Sequence, residues 1–402
     1  MDALLADRLR IIAAGFVRAL GVGLTGVLLA LHLGTAGWEA SAIGLLVSSG
    51  LAGAAAGTLA VSYLGDRFGR RRALIAFGLL QTLGGLALAF THRPGLLVVA
   101  AFVGLINGLG RDRGPSFALE QAALPETTTP QGRTFVIAWY SLSLDAGLAL
   151  GSLLAGLPFW LRQRGWAPEA SYQAAWLVYA GLMLLSVALY GGLSQAVEVA
   201  RANRRARVSP ESRRRVRKLA ALTGMDSLGG GFLTSALVSF WFFRRFGIGE
   251  QWLGPLFFAA RVANAGSHLA AAWLARRIGL VNTMVFTHIP SSLFLMAVPL
   301  APSLGWAVAL FLAREALVEM DVPTRQSYIL AVVQPEERSY ASGITTLTRN
   351  VAYAVSPALA GTAMTQVALA SPLFLGAGIK IAYDLLLYFS FRRIKPPEEA
   401  GG

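Results

Sequence analysis

From residue 9 to residue 391 the chain keeps returning to apolar runs of 18 or more residues, separated by short charged connections. A run of that length supplies the ~20 helical residues that cross a ~30 Å hydrocarbon core, where backbone amides find partners only within their own helix. Twelve spans are expected, at 9–33, 42–64, 73–91, 96–124, 134–160, 170–193, 217–243, 254–274, 280–301, 304–333, 339–366 and 373–391. With 55% hydrophobic and only 14% charged residues, the composition points to an all-α polytopic membrane protein. There is no cysteine, so disulfides and thiolate metal sites are excluded.

A net charge of +14 ordinarily suggests nucleic acid, but the 35 Lys and Arg residues are distributed by side of the membrane. If the N-terminus is cytoplasmic, 22 fall on inside segments or on the span ends that adjoin them (Arg10, Arg217 and Lys218), and five on outside loops. The positive-inside rule therefore predicts a cytoplasmic (inner) membrane protein with both termini inside, and it absorbs the basic balance without a nucleic-acid partner. The loop ARANRRARVSPESRRRVRK, 200 to 218, acts as a topology anchor that can also meet anionic lipid headgroups. Within it, Ser209-Pro210-Glu211 predicts the start of a basic helix. The start MDALLADRLR, followed by a run too long for a signal segment, predicts a retained first helix.

The chain also repeats itself. A shift of 208 lays RALGVG (18–23) on DSLGGG (226–231) and RDRGPS (111–116) on EMDVPT (319–324). A shift of 210 lays LGDRFG (64–69) on LARRIG (274–279), and one of 205 lays LLAG (153–156) on ALAG (358–361). Four matches in order predict two six-helix bundles, 1–193 and 217–402, joined by a basic cytoplasmic linker at 194–216.

Between spans two and three, SYLGDRFGRRR (62–72) resembles the G-x-x-x-D-R-x-G-R-R-R loop of the major facilitator superfamily, with Asp66, Arg67, Gly69, Arg70 and Arg71 on the motif positions and Ser62 in place of its first glycine. The resemblance covers essentially the whole chain. It implies a cytoplasmic gate in which Asp66 caps a helix or meets a neighbouring arginine. The second copy has Arg276 where the acid should be. GLALGSLLAG in span five is similar to a motif of proton-coupled exporters, with Ser152 in place of its proline.

Function is sought in the charges that apolar spans should not contain. Away from the span ends, eight basic residues (Arg18, Arg111, Arg113, Arg261, Arg314, Arg325, Arg349, Lys380) and eight acids (Asp112, Glu120, Asp145, Asp226, Glu315, Glu319, Asp321, Asp384) fall within them. Each costs at least ~2.5–3.5 kcal/mol facing lipid at the bilayer centre, so they must pair or line water. The repeat relates Arg18 to Asp226, Arg111 to Glu319 and Arg113 to Asp321, inverting the sign each time. The resemblance places spans one, four, seven and ten around a central cavity. These six residues are then expected to bind substrate or gate it, with Arg18 meeting Asp226 directly or through substrate. A fixed salt bridge between the halves is the alternative.

Pro115 and Pro323 stand beside the charge clusters at matching places and are expected to kink their helices. In span four, Arg113 and Glu120 share a helical face. In span ten, Arg314, Asp321 and Arg325 form one stripe, and Glu315 and Glu319 another. Two carboxylates one turn apart cannot both ionise cheaply, so Glu315 and Glu319 are the expected proton-coupling pair, with Asp145 and Asp226 next in line. Lys380 and Asp384 read as a self-neutralised i,i+4 pair.

The four histidines lack ligand spacing, and neither a metal nor another cofactor is expected. No HExxH, GxSxG or P-loop supports an enzyme. The expected function is a monomeric secondary transporter of a small charged or zwitterionic organic solute, working by alternating access as a proton-coupled exporter or antiporter. The alternatives are a proton-coupled or facilitative importer, or a receptor or enzyme on a transporter scaffold.

Overall fold

The structure, a computed structural model, describes residues 3–198, 210–321 and 338–391. In the first part of the chain lie α1 (Ala3–Thr35), α2 (Ala40–Phe68), α3 (Arg70–Phe90), α4 (Pro94–Val103), α5 (Pro115–Ala123), α6 (Arg133–Leu154), α7 (Leu157–Gln163) and α8 (Pro168–Gly191). They are followed by α9 (Pro210–Gly231), α10 (Ser235–Phe246), α11 (Glu250–Ile278), α12 (Leu280–Ala297), α13 (Leu304–Val318), α14 (Arg338–Gln366) and α15 (Ser371–Phe391). The basic helix expected from Ser209-Pro210-Glu211 is α9, with Pro210 as its first residue. Pro323 and Arg325, on which a kink and a charge stripe were expected, lie outside the described residues.

Among the described residues, seven helical segments are long and apolar enough to cross a membrane: Ala3–Thr35, Ala40–Ser62, Arg70–Phe90, Arg133–Gln163, Pro168–Gly191, Leu280–Leu300 and Ser371–Ser390. The other expected spans do not combine that length and apolarity among the described residues. Large apolar side chains stand exposed along these helices, among them Leu83, Phe90, Phe135, Trp139, Trp160 and Phe286. Surface this apolar suits lipid better than water.

The chain forms two compact units: Met1–Asn203 with Thr234–Phe258, and Arg204–Leu233 with Ala259–Gly402. In the first, α1 is buried along most of its length and packs against α6, α8 and α10. In the second, α9 packs on α14 and α15, and α12 on α13 and α15.

The internal repeat is visible in the backbone. Helix α11 starts and ends 210 residues after α2, and each is followed by a glycine in the left-handed region, Gly69 at φ 80° and Gly279 at φ 85°. Each glycine then precedes the next helix, α3 or α12. A side chain would strain the backbone there, which explains why the motif copies keep the glycine while Asp66 gives way to Arg276.

Candidate functional site

The fourth span is not the continuous helix that its apolar composition predicts. Helix α4 stops at Val103, and residues 104–114 are non-helical up to α5, which begins at Pro115. Proline opens a helix here rather than kinking one. In the break, Leu105 takes φ 53° and Gly110 φ 75°. Irregular backbone within a span survives only where its polar groups are met by protein or water. Here the Asn107 amide accepts from Leu109 N at 2.9 Å and donates to the Arg111 carbonyl at 2.6 Å. The first amides of α10 close the arrangement: Ala236 N donates to the Gly108 carbonyl at 3.1 Å and Ser235 N to that of Leu109 at 3.4 Å.

The break changes the partners of Arg18. Asp112, in the non-helical stretch, accepts from Arg18 Nε at 2.6 Å. Glu120, on α5, receives the guanidinium fork, Nη1 to Oε1 at 2.7 Å and Nη2 to Oε2 at 2.5 Å. Tyr140 from α6 and Tyr190 from α8 each donate to Glu120 at 2.6 Å, and Arg18 also donates to the Tyr190 hydroxyl. Arg18 is 1% exposed and Glu120 is fully buried. Bidentate, charge-assisted bonding of this kind is what a buried guanidinium requires.

Two expectations are corrected here. Arg18 was expected to meet Asp226, directly or through substrate, but within its own unit it is already neutralised by Asp112 and Glu120. Glu120 serves Arg18, and Arg113 lies in the break, so the shared helical face of Arg113 and Glu120 does not exist. Arg111 and Arg113 are half-buried in the same stretch, and Asp145 is half-buried on α6.

In the second unit, Asp226 on α9 accepts from Lys380 Nζ on α15 at 2.8 Å. The same ammonium lies 3.3 Å from His288 Nε2 on α12, and His288 Nδ1 lies 2.9 Å from both carboxylate oxygens of Asp384. All four side chains are buried. Lys380 and Asp384 are thus not the direct i,i+4 pair expected, because the imidazole stands between them.

Single ligand atoms of Asp226, His288 and Asp321 come within 4.8 Å of one another, a spacing that could hold a metal ion. The Lys380 ammonium already contacts two of these groups, and a like charge so close opposes a second cation.

Helix α13 holds a further pair. Glu315 accepts from Arg314, its sequence neighbour, and from Asn264 Nδ2 at 3.0 Å. Arg314 therefore reaches the stripe assigned to the acids. Glu319 caps the end of α13, and Glu319 and Asp321 are both buried.

At the motif of residues 62–72, Gly69 has no side chain with which to cap α3. Glu198 does so, accepting from Arg70 N at 2.6 Å and Arg71 N at 3.1 Å, where a carboxylate complements the helix dipole. Arg71 donates to the Gly191 carbonyl at 2.5 Å and Arg70 to that of Val197 at 3.3 Å. The side chains of Asp66 and Arg67 lie outside the described residues, although their backbone belongs to α2.

A fold of two related halves, with a buried ionised network in each, defines a polytopic solute transporter. The Major Facilitator Superfamily model matches residues 11–357, and the chain belongs to that family. It is a membrane transporter of small solutes and not an enzyme. An uncharacterized membrane protein of Saccharomyces cerevisiae is 27% identical to it, covering 94% of this chain and 92% of its own. Among solved structures, the nucleoside transporter NupG has a TM-score of 0.75 at 12% identity, covering 96% of this chain and 100% of its own. A D-xylose-proton symporter has a TM-score of 0.73 at 14% identity, covering 99% and 98%. At such identities these structures share the fold with this chain. The family's twelve-helix architecture accounts for the remaining expected spans as well as the seven apolar ones.

Proposed function

We propose that this protein is a proton-coupled secondary transporter that exports a small charged or zwitterionic organic solute by alternating access between bundles 1–193 and 217–402. The observation that carries this reading is the presence of buried ionised groups on the spans corresponding to one another in the repeat: Arg18 and Asp112 in the first half, Asp226, Glu319 and Asp321 in the second. Burying so many charges is costly unless a cycle uses them. Arg111, Arg113, Glu319 and Asp321 contact the solute, while Pro115 with the break before it, and Pro323, mark where the lining helices are discontinuous. The exporter-like pattern GLALGSLLAG supports export. Import is the second reading, favoured by the likeness to a nucleoside transporter and a D-xylose-proton symporter.

The test is counterflow in proteoliposomes with uridine, D-xylose, amino acids and organic cations as probes, with and without a pH gradient. Saturable exchange of one probe, accelerated at least tenfold by a gradient acidic on the trans side, is expected. Uptake driven by a gradient acidic on the same side as the solute establishes import, and exchange indifferent to every gradient overturns proton coupling.

The proposed location is the cytoplasmic (inner) membrane, as a monomer, with both termini inside. Contacts at one end of the first unit support the side assignment. Asp7, near the start of α1, accepts from Ser194 N at 3.0 Å, and Glu198, four residues on, caps the arginine-rich motif. A reporter enzyme active only outside the cytoplasm, fused after residue 402, should stay silent. Activity there reverses the topology.

A further inference from the structure

We propose that His288 is the proton-binding group of the second unit, and that protonating it breaks the link between Lys380 and the imidazole. This deepens the coupled-transport reading and rests on it. It moves the carrier away from Glu315, which is engaged by Arg314 and Asn264.

The geometry assigns the tautomer. An ionised carboxylate only accepts, so His288 Nδ1 carries the hydrogen that lies between the ring and Asp384. Nε2 is then a lone pair, and the Lys380 ammonium, 3.3 Å away, donates to it. His288 is 1% exposed and Asp384 0%, so solvent does not screen the arrangement.

Among the described residues, the groups around the ring come from α9, α15 and the end of α13. Asp226 belongs to α9, and Lys380, Asp384 and the edge-on ring of Tyr383 to α15. Asp321, just beyond α13, has a carboxylate oxygen within 4.8 Å of the imidazole. Arg314 and Glu315 on α13 face each other and Asn264.

A proton from water can add only at the Nε2 lone pair, the one unprotonated ring position. Forming that N–H removes one of the two acceptors of Lys380, leaving Asp226, and sets two cations against each other. Carboxylate oxygens of Asp226 and Asp321 lie within 4.8 Å of the ring, so a small shift of the ammonium lets one of them accept from the new N–H. One proton thus exchanges a Lys380–His288 bond for a His288–carboxylate bond, altering the ties among α9, α12 and α15. Imidazole can take up a proton at one nitrogen while keeping the N–H at the other, so the bond to Asp384 survives the change. Asp226, the counterpart of Arg18, transmits the change to the span expected to line the cavity.

The chain has only four histidines, so the proposal can be tested by NMR of the detergent-solubilised protein labelled with 15N in its imidazoles. The His288 signal is assigned by its loss in H288Q or, if that variant does not fold, by elimination using H32Q, H92Q and H268Q. At pH 9 the signal should show the Nδ1–H tautomer, and by pH 5 that of imidazolium. D384N should abolish the tautomer preference, and K380M should displace the Nε2 resonance. An Nε2–H tautomer at pH 9, or a ring that stays neutral from pH 9 to pH 5, overturns the proposal, the latter leaving His288 a purely structural bridge. The coupled-transport reading falls separately. If His288 titrates but no gradient drives any counterflow probe, the proton site stands without that coupling; if a gradient drives transport and His288 is silent, the carrier lies elsewhere.

Discussion

Arg18→Met should lower the unfolding free energy by about 3–5 kcal/mol, the range for removing one partner from a buried ion pair. Methionine fills much of the same space, so the loss is electrostatic. It would leave Asp112 and Glu120 facing each other without the guanidinium that now binds both. Tyr140 and Tyr190 would still donate to Glu120, which softens the effect without removing it. Arg18→Lys should be intermediate, because an ammonium keeps the charge but cannot form the fork. The triple variant R18M/D112N/E120Q should recover much of the lost stability, since no charge of this cluster then remains buried. Thermal unfolding in detergent reads all three. If R18M melts with the wild type, the guanidinium is not what makes these acids tolerable.

Gly53→Ala should cost at least the upper end of the ~1–3 kcal/mol typical of overpacking. A Cβ at Gly53 would lie 1.9 Å from the carbonyl oxygen of Phe102, and one at Gly50 would lie 2.0 Å from that of Ile106. Both obstacles are backbone, so no rotamer change relieves them. Because Phe102 lies in the last turn of α4 and Ile106 lies in the break, α2 is the template on which the break is laid. Gly181→Ala in α8 is the control, with nothing within 4 Å of the added carbon, and it should melt within about 0.5 kcal/mol of the wild type. A G53A protein as stable as the control would mean that α2 and α4 do not approach this closely.

The spans, the repeat and the family motif were legible because lipid imposes length and apolarity on every crossing helix. The motif glycine could be recognised because its backbone angle admits little else. The break at 104–114 was hidden by its own composition, LINGLG being as apolar as a helix. Four glycines at 104, 108, 110 and 114, with Asn107 among them, were the available signal. Arg18 was paired by symmetry with Asp226, but its partners follow from the break, which brings Asp112 within reach. His288, Lys380, Asp226 and Asp384 are drawn from three helices, with Asp226 and Lys380 154 residues apart. No local pattern joins them. Glu198 was unreadable for a related reason: it follows α8 by seven residues, yet it caps a helix that starts at residue 70.

The docking of α10 onto the break has a kinetic consequence. The carbonyls of Gly108 and Leu109 have the first amides of α10 as partners, and α10 in turn has those carbonyls in place of a preceding helical turn. Hydrocarbon can replace neither. If α10 withdraws, four polar groups must be rehydrated or the break must rewind, so the two discontinuities form an interlock in which neither opens before water arrives. Any motion that passes through this place is therefore gated by wetting, and its rate should follow the admission of a few water molecules rather than the swing of a rigid bundle.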